Sequence, residues 1–253
     1  MLSFKNVSIA YNKELIIDNL SLDIPTGMIT TIVGPNGCGK TTLISSLVAS
    51  SDVKNGSILL DGTDISAMSS KERACHIAYL PQIRHIIPAL PVKTLVEHGR
   101  FPHLGFARKK SQKDIDIVDK AMEFTNISQY ATQYVDTLSG GIRQRVFFAM
   151  LLAQDCDTIC LDEPTTYLDI KGQREFYNLI LRLKEQGKTI ILVLHDLSKA
   201  LEISDKIVVM NNSQIEFDGT PESCLESHVL EDVFDTTIKT FKDEANKTYY
   251  VLT

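Results

Sequence analysis

The sequence predicts an α/β fold in which buried strands form the core. Two near-continuous apolar runs, TICLDE at 158–163 and TIILVLH at 189–195, are typical of strands that are buried on both faces. The helical pattern of residues 173–187 separates them, as a right-handed crossover between parallel strands requires. In open α/β sheets the ligand binds at the carboxyl ends of the strands, so we expect functional residues where these two runs end.

The amino-terminal region is predicted to form a twisted, largely antiparallel β layer. Residues 2–10, 20–24 and 56–62 have the length and mixed polarity of strands bounded by turns. The β-rich run MITTIV at 28–33 leads directly into a glycine-rich loop, so we expect it to be a core strand. Towards the end of the chain we expect a strand–turn–strand at 206–219, then an amphipathic helix and a last β pair.

A change in sequence pattern from about residue 84 to residue 155 predicts an inserted helical subdomain. Apolar residues recur there at helical spacing, with Gly, Pro and Lys-rich breaks, in the segments 94–100, 114–127 and 142–154. We therefore expect a single domain over residues 1–253. Residues 84–155 would be its helical subdomain, and residues 1–83 and 156–253 would form the core with the β layer.

The net charge, the length of the apolar runs and the cysteine spacing exclude several classes of protein. The formal net charge of −6 argues against a nucleic-acid partner, because phosphate neutralisation usually needs a basic face. No apolar run reaches the ~18–20 residues that span a bilayer, and MLSFKNVSIAY does not have the pattern of a signal peptide. Five cysteines without a framework spacing favour reduced thiols and a cytoplasmic location. Cys156 and Cys160 could form a metal pair, but we expect them to be buried thiols.

The loop GPNGCGKT at 34–41 matches the G-x4-G-K-[ST] pattern between a predicted strand and a predicted helix. Backbone N–H groups of such a loop cradle phosphates, its lysine neutralises the β and γ oxygens, and its threonine hydroxyl ligates Mg²⁺. The alternative is a glycine-rich turn without a ligand. The residues that we expect to bind the nucleotide here are Asn36, Gly37, Cys38, Gly39, Lys40, Thr41 and Thr42.

Two further segments are suited to phosphate chemistry. Asp162 ends a buried strand, where hydrated Mg²⁺ would compensate its carboxylate, and Glu163 can polarise an attacking water. The alternative for this pair is an acidic strand end at a helix N-terminus. In LSGGIRQR, Ser139, Gly140 and Gly141 precede a helical pattern, which predicts a second anion site made of backbone N–H groups.

The ordered set of motifs resembles the nucleotide-binding subunit of an ABC transporter, nearly from end to end. The set comprises Tyr11, GPNGCGKT, YLPQ ending at Gln82, LSGGIRQR, ICLDEP, TTYLD ending at Asp169 and LVLHD with His195. The resemblance implies the ABC ATPase fold on a P-loop NTPase core, with ATP and Mg²⁺ as cofactors. LSGGIRQR is the signature motif of this family.

The resemblance also implies a role for each matching residue. Tyr11 would stack on adenine, Gln82 would sense Mg²⁺ and the γ-phosphate, Asp169 would bridge two halves of a dimer, and His195 would hold the γ-phosphate and the attacking water. Taken alone, each has a simpler interpretation. Tyr11 could be a turn aromatic, Gln82 a solvated polar group, Asp169 a helix N-cap and His195 a strand-end histidine.

A second copy of the chain explains why one sequence contains two phosphate-facing helix starts. The site at residues 139–141 has no lysine, so it suits a phosphate that the P-loop of another subunit already neutralises. We therefore expect a head-to-tail homodimer whose two composite sites close over ATP. The family most often has Gln where this chain has Ile142, and we expect Ile142 to pack on one face of the helix.

We expect the ATPase to power import through a separate membrane permease, as a peripheral subunit at the cytoplasmic face. An extracytoplasmic substrate-binding protein would be an indirect partner. Residues 90–105 and PTTYLDI resemble subunits that serve iron chelates such as siderophores, and haem or cobalamin. The alternative is a soluble ABC ATPase of an assembly scaffold, as in iron–sulfur cluster biogenesis.

Residues 83–105, where the family docks its permease, distinguish these two functions. Their apolar residues would either pack the helical subdomain or line a groove for a permease helix. The expected polar surface residues of this stretch are Arg84, Arg100 and His103.

Overall fold

The computed structural model describes residues 1–12, 14–48, 52–82, 89–105, 109–166, 168–244 and 248–253. The described strands are β1 (Leu2–Tyr11), β2 (Glu14–Ile24), β3 (Ile29–Val33), β4 (Asp52–Leu60), β5 (Thr63–Asp64), β6 (Ile77–Leu80), β7 (Thr158–Asp162), β8 (Thr189–Val193), β9 (Lys206–Asn211), β10 (Gln214–Gly219), β11 (Ile238–Lys242) and β12 (Thr248–Leu252). The described α-helices are α1 (Lys40–Ser45), α2 (Ser70–Ala74), α3 (Val92–Glu97), α4 (Gln112–Phe124), α5 (Gly140–Ala153), α6 (Ile170–Glu185), α7 (Leu197–Ile203), α8 (Pro221–Glu226) and α9 (Val229–Phe234).

The chain divides into two compact units. The first combines Met1–Ala67 with Gly187–Thr253, and the second is Met68–Gln186. These boundaries differ from those of the predicted subdomains, and the division at residues 84–155 stays a prediction. Of the helices in the described ranges, not one has both the length and the apolar character that a bilayer span requires.

In the first unit, β2, β1, β4 and β5 form an antiparallel sheet in that order, as the sequence predicted. The register places Phe4 opposite Leu22 and Ile9 opposite Ile17, and all four side chains are buried. Since successive side chains of a strand point to opposite faces, this alternation fixes which face of the layer is buried.

The strand β3 is the centre of the second sheet of the first unit. It is buried throughout and pairs in parallel with β8 on one side and β9 on the other. The register aligns Ile32 with Val193 of β8 and with Val208 of β9. Strands that are buried on both faces have near-continuous apolar sequences, and this pattern predicted β8, whereas β3 was predicted from its β-rich run before the glycine loop. Their carboxyl ends lie at one edge of the sheet, where β3 continues into the glycine loop.

The carboxyl-terminal region contains two short helices where the sequence predicted one amphipathic helix. His228 lies between α8 and α9, and its φ of 57° is in the left-handed region. A left-handed residue cannot continue a right-handed helix, so the chain turns there and a second helix begins. The last β pair is present as predicted, with β11 and β12 antiparallel.

The second unit pairs β6 with β7 in parallel and packs the helices α3, α4 and α5 against each other. These are the three helical segments that the apolar spacing predicted. Their buried aliphatic and aromatic side chains include Val92, Leu95, Val96, Val118, Met122, Val146 and Phe148. Three of them, on α3, belong to the stretch considered for permease docking, and their burial assigns them to helix packing.

The two cysteines considered as a metal pair are buried free thiols. Cys156 is 3% exposed, and Cys160 is completely buried within β7. Burial, with a smaller effect of Cys156 nearby, raises the pKa of the Cys160 thiol, so this group stays protonated. Both residues therefore contribute to packing.

Arg100 is not the surface residue that the sequence analysis expected, because only 3% of it is exposed. Its Nε donates to Asp114 Oδ1 at 3.0 Å, and its Nη1 donates to the carbonyl oxygen of Ala153 at 2.9 Å. Asp114 also accepts hydrogen bonds from the hydroxyl and the amide of Ser111. The Ser111 donors, together with the Arg100 guanidinium, lower the pKa of Asp114 to about 2. One buried ion pair thus connects the start of α4 to the end of α5.

We predict that Arg100→Ala lowers the free energy of unfolding by about 3 kcal/mol, because it leaves the Asp114 carboxylate buried without its cation. The exposed pair Lys93–Asp119, with Nζ and Oδ1 2.7 Å apart, supplies the control. Lys93→Ala should cost less than about 1 kcal/mol in the same urea-unfolding measurement.

The Arg100–Asp114 ion pair also makes the destabilisation caused by Arg100→Ala depend on pH. The stability that Asp114 contributes is present above its ordinary pKa of 3.8 and is lost as the pH falls toward its folded value of about 2. The difference between wild type and Arg100→Ala should therefore shrink as the pH is lowered through this range. Equal losses for the two alanine variants, independent of pH, would contradict the assignment.

Candidate nucleotide site

The glycine loop connects the buried strand β3 to α1 at the edge of the parallel sheet. Gly37 and Gly39 have φ angles of 81° and 97°, which are left-handed conformations that favour glycine. Gly34 packs so closely that a Cβ atom there would lie 2.1 Å from the carbonyl oxygen of Met210 on β9. The path of the loop therefore depends on the glycines of the predicted motif.

The side chain of Lys40 lies inside this loop, and only 6% of the residue is exposed. Its Nζ donates to the carbonyl oxygens of Gly34 at 2.7 Å and of Pro35 at 2.8 Å. The first amides of α1 have no carbonyl one turn earlier in the helix, so they add donors beside this cation. A buried ammonium enclosed by a backbone loop at a helix start is an arrangement that binds phosphate oxygens.

Of the other residues predicted for the site, His195 and Thr41 lie at the edge of the parallel sheet that carries the loop, and Tyr11 lies in the antiparallel sheet. His195 follows β8 at the same edge as the loop, where the Leu194 amide donates to the Ile32 carbonyl at 3.4 Å, and His195 itself is exposed. Thr41 is exposed at the start of α1. Tyr11 ends β1 in the antiparallel sheet and is 52% exposed. The parallel sheet thus brings the loop and His195 to one edge.

In the second unit, the parallel register of β6 and β7 brings the predicted glutamine and glutamate together. Gln82 Nε2 donates a hydrogen bond to Glu163 Oε2. The Tyr79 hydroxyl donates to Asp162 Oδ2 at 3.3 Å. Burial, together with the neighbouring Asp162 carboxylate, raises the pKa of Tyr79, so the phenol stays protonated and acts as a donor.

The turn after β7 holds Glu163 in an uncommon backbone conformation, with φ of 46°. From α5, Gln144 Nε2 donates to the carbonyl oxygen of Pro164 at 2.5 Å. From α6, the Tyr177 hydroxyl lies 3.1 Å from the Thr165 hydroxyl, and both groups are buried. The turn is therefore fixed by two helices of its own unit, which determines the direction of the Glu163 backbone.

The start of α5 coincides with the predicted second anion site. Ser139 is the exposed N-cap, and Gly140 is the first residue of the helix. The serines that cap α2 and α4, Ser69 and Ser111, each accept a hydrogen bond from their own helix. Within the described residues, the Ser139 hydroxyl makes no such capping bond. This helix start is thus suited to an external acceptor.

Two predicted features near this helix have a structural explanation. Ile142 is half-buried, and at helical spacing from it Val146 and Ala149 are fully buried, which agrees with a packing role. Asp169 is the N-cap of α6, because its Oδ1 accepts from the Gly172 amide at 2.7 Å. The role of Asp169 in a dimer stays a prediction.

Comparison with protein-family models finds a match to "ABC transporter" over residues 17–166. The chain belongs to the ABC transporter family. This ABC ATPase is 42% identical over 234 residues to the petrobactin import ATP-binding protein FpuD of Bacillus anthracis, with 92% of the chain and 86% of that relative covered. It is 39% identical to the iron(3+)-hydroxamate import ATP-binding protein FhuC of Bacillus subtilis, with 92% of the chain and 87% of that relative covered.

Solved structures confirm the ABC ATPase fold. A structure described as a metal-chelate type ABC transporter in an inward-facing conformation matches with a TM-score of 0.85 and 26% identity, over 100% of the chain and 97% of that protein. A dimeric ATP-binding cassette in a post-hydrolysis state, bound to ADP and Pi, matches with a TM-score of 0.77 and 26% identity, over 87% of the chain and 99% of that protein.

Two residues of this ABC ATPase that were not predicted as site residues contact the end of β7 and the turn that follows it. Tyr79 opens the motif YLPQ and donates to Asp162, and Gln144 lies in the signature motif and donates to Pro164. Helical spacing could have indicated Gln144. Residues four positions apart lie on the same face of a helix, and Gln144 follows Gly140 of the predicted anion site by four positions. The motif YLPQ contains Tyr79, but nothing in that motif indicates its partner, which lies on another strand.

We predict that Gly34→Ala weakens the binding of a fluorescent ATP analogue by at least ~5-fold, because overpacking of this kind costs about 1–3 kcal/mol. The added Cβ would lie 2.1 Å from the Met210 carbonyl oxygen and 2.8 Å from Cys38 Sγ, so the loop must shift. Gly105→Ala is the control, because among the described residues no atom lies within 4 Å of the Cβ that it would add. Equal affinities for the two variants would refute the loop as the phosphate site.

Proposed function

We propose that this ABC ATPase is the ATP-hydrolysing subunit that energises import through a separate membrane permease. The hydrogen bond between Gln82 and Glu163 carries the proposal, because it joins the predicted γ-phosphate sensor to the predicted general base. The glycine loop around Lys40 and the family of the chain support it.

In the proposed reaction, Glu163 accepts a proton from water while the water oxygen bonds to the γ-phosphorus. The bond between this phosphorus and the bridging oxygen of ADP breaks, which releases ADP and inorganic phosphate. Lys40 and His195 would stabilise the negative charge on the γ-phosphoryl oxygens. Since the turn after β7 already fixes the Glu163 backbone, little reorganisation is needed in the transition state.

Magnesium fits the residues that the sequence analysis assigned to it. The Thr41 hydroxyl, the Gln82 amide oxygen and the Asp162 carboxylate are oxygen donors, which Mg²⁺ prefers. Asp162 is 1% exposed, and the Tyr79 phenol that donates to it is neutral, so a cation suits this carboxylate. When bound, Mg²⁺ would neutralise charge on the β- and γ-phosphates.

Two copies of the chain would form a head-to-tail dimer with composite sites. The P-loop, Glu163 and His195 of one copy would act on ATP that Ser139, Gly140 and Gly141 of the other copy cover. The exposed Ser139 hydroxyl at the start of α5 and the dimeric solved cassette support this arrangement. Tyr11 would stack on the adenine, and Asp169 would bridge the two copies.

The substrate would be an iron chelate of the ferric siderophore class. The relatives named above are petrobactin and iron(3+)-hydroxamate import proteins, and the ferric enterobactin transport ATP-binding protein FepC of Escherichia coli is 38% identical. These names favour import over the assembly-scaffold alternative. The chain would then sit at the cytoplasmic face of the membrane, with an extracytoplasmic substrate-binding protein as an indirect partner.

The permease would dock on the stretch that follows Gln82. Residues 83–88, which include Arg84, lie outside the described residues. In the described part, Arg100 is buried, whereas Phe101 is 50% exposed and stacks on His98 with ring centroids 4.5 Å apart. His103 is also exposed. A substitution of the exposed Phe101, rather than of the buried Arg100, is therefore suited to test permease docking.

We predict that Glu163→Gln binds MgATP but hydrolyses it slowly, and accumulates as a dimer. The amide keeps the shape of the side chain but cannot accept the proton, a loss of about 10²–10⁴ in rate. Single-turnover hydrolysis and size-exclusion chromatography with ATP measure both effects. Glu123→Gln, on the exposed face of α4, should behave as wild type. Near-normal turnover by Glu163→Gln would overturn its assignment as the base.

We predict that Phe101→Glu leaves ATP binding intact but lowers uptake of radiolabelled ferric siderophore to near the level of cells that lack the subunit. A charge at the centre of an apolar docking contact opposes its burial. Phe241→Glu is the matched control, because Phe241 is also exposed, at 55%, but lies on β11. Haem and cobalamin uptake are measured in parallel. Undiminished uptake of all three compounds in cells without this subunit would refute the substrate assignment.

A further inference from the structure

Gln144 connects the signature helix α5 to the turn that contains Glu163. The residue is 8% exposed, and its Nε2 donates to the carbonyl oxygen of Pro164 at 2.5 Å. Pro164 directly follows Glu163 in the chain. The hydrogen bond therefore acts one peptide unit away from the residue proposed as the general base.

The backbone of this turn needs external support. A non-glycine residue in the left-handed region costs about 1–3 kcal/mol, and Glu163 has a φ of 46°. The Thr166 hydroxyl donates to the Glu163 carbonyl oxygen at 3.0 Å, which is a contact within the turn. Gln144 holds the next carbonyl along the chain from a separate helix. Together the two donors fix the peptide planes on both sides of Pro164, and with them the direction of the Glu163 side chain.

The first turns of α5 lie along the segment that follows Glu163. A Cβ atom at Gly141 would lie 3.6 Å from Leu168 Cδ2, so the start of the helix approaches this segment closely. Arg145 Nη2 forms an ion pair with Glu175 Oε2 on α6. Gln144 lies between these two contacts. The first turns of the helix therefore contact both the segment between β7 and α6 and the helix α6 itself.

We propose that Gln144 is a positioning residue that holds Glu163 of its own chain in the orientation that hydrolysis requires. The inference rests on the proposed function, because it assumes that Glu163 is the general base. The start of α5 would close on ATP in the partner's P-loop, while Gln144, one turn further along, fixes the base of its own chain. One helix would then serve both composite sites of the dimer.

The first experiment compares two glutamines that donate to backbone carbonyls in the second unit. Gln154 Nε2 donates to the carbonyl oxygens of Ala74 at 2.6 Å and Ile77 at 3.2 Å, away from the turn of Glu163. Gln144→Leu should lower kcat about 10- to 100-fold, the scale of a misplaced catalytic group, with the Kd for a fluorescent ATP analogue unchanged within about 2-fold. Gln154→Leu should keep the wild-type kcat, and urea unfolding checks that both variants are folded.

The second experiment uses heterodimers in which Glu163→Gln disables one of the two sites. In the first pair, one chain has Gln144→Leu and its partner has Glu163→Gln, so the working Glu163 and the lesion are in the same chain. In the second pair, one chain is wild type and its partner has both substitutions, so the lesion lies in the chain that only covers the working site. The first pair should show the full loss of kcat, and the second should match wild type paired with Glu163→Gln.

Two controls separate failure of this inference from failure of the proposed function. Wild type must hydrolyse ATP, and mixing Lys40→Ala with Ser139→Arg must restore activity, because that heterodimer has one intact composite site. If either control fails, the proposed function is wrong, and the inference about Gln144 is overturned with it. If both succeed, an unchanged kcat in Gln144→Leu, or a loss confined to the second pair, overturns the positioning role alone.

Discussion

Parallel pairing of strands that are buried on both faces is the constraint on which this molecule depends. The side chains within these strands are mostly apolar, apart from uncharged polar groups such as those of Thr30 and Thr31 in β3, so charged groups are confined to the strand ends. In the first unit, β3 and β8 end at the glycine loop and at His195. In the second unit, β6 and β7 end at Gln82 and Glu163. Each unit therefore presents its predicted catalytic groups at one edge of a parallel sheet.

Two buried cations of the described residues, Lys40 and Arg100, are compensated in different ways. Lys40 is surrounded by carbonyl oxygens of its own loop, which are neutral, so its charge stays available to phosphate oxygens. Arg100 instead faces the Asp114 carboxylate, and its charge is used within the helical packing. A buried ion pair must recover the desolvation of both partners, so it stabilises through geometry and additional hydrogen bonds. Ser111 and the Ala153 carbonyl supply these bonds.

In the proposed dimer, the helix α5 would have two functions. Its start presents the exposed Ser139 and the amides that follow it, and one turn later Gln144 reaches the turn of Glu163. Because an α-helix is stiff over a few residues, a displacement at its start is passed to the next turn with little loss. In a head-to-tail dimer this geometry would relate the closing of one site to the positioning of the base in the other.

The sequence by itself predicted most elements of the fold and identified the residues that are proposed to form the site. Apolar runs marked β7 and β8, helical spacing marked α3 to α5, and the glycine loop was identified by its fixed spacing between a strand and a helix. These signals are local, since each depends on residues that are near each other in the chain. The N-cap role of Asp169 could be predicted for the same reason, because its hydrogen-bond partner, the Gly172 amide, is only three residues away.

The tertiary structure alone decided which distant side chains meet. Arg100 and its partner Asp114 are 14 residues apart and belong to different elements, so nothing in the pattern around Arg100 indicated burial. Gln144 and Pro164 are 20 residues apart, and their hydrogen bond exists only because α5 packs beside the end of β7. The left-handed backbone of Glu163 is likewise imposed by its surroundings, because no local preference of a glutamate favours it. Spacing predicts which face of an element a residue occupies, but the contacts of that face depend on how the elements pack.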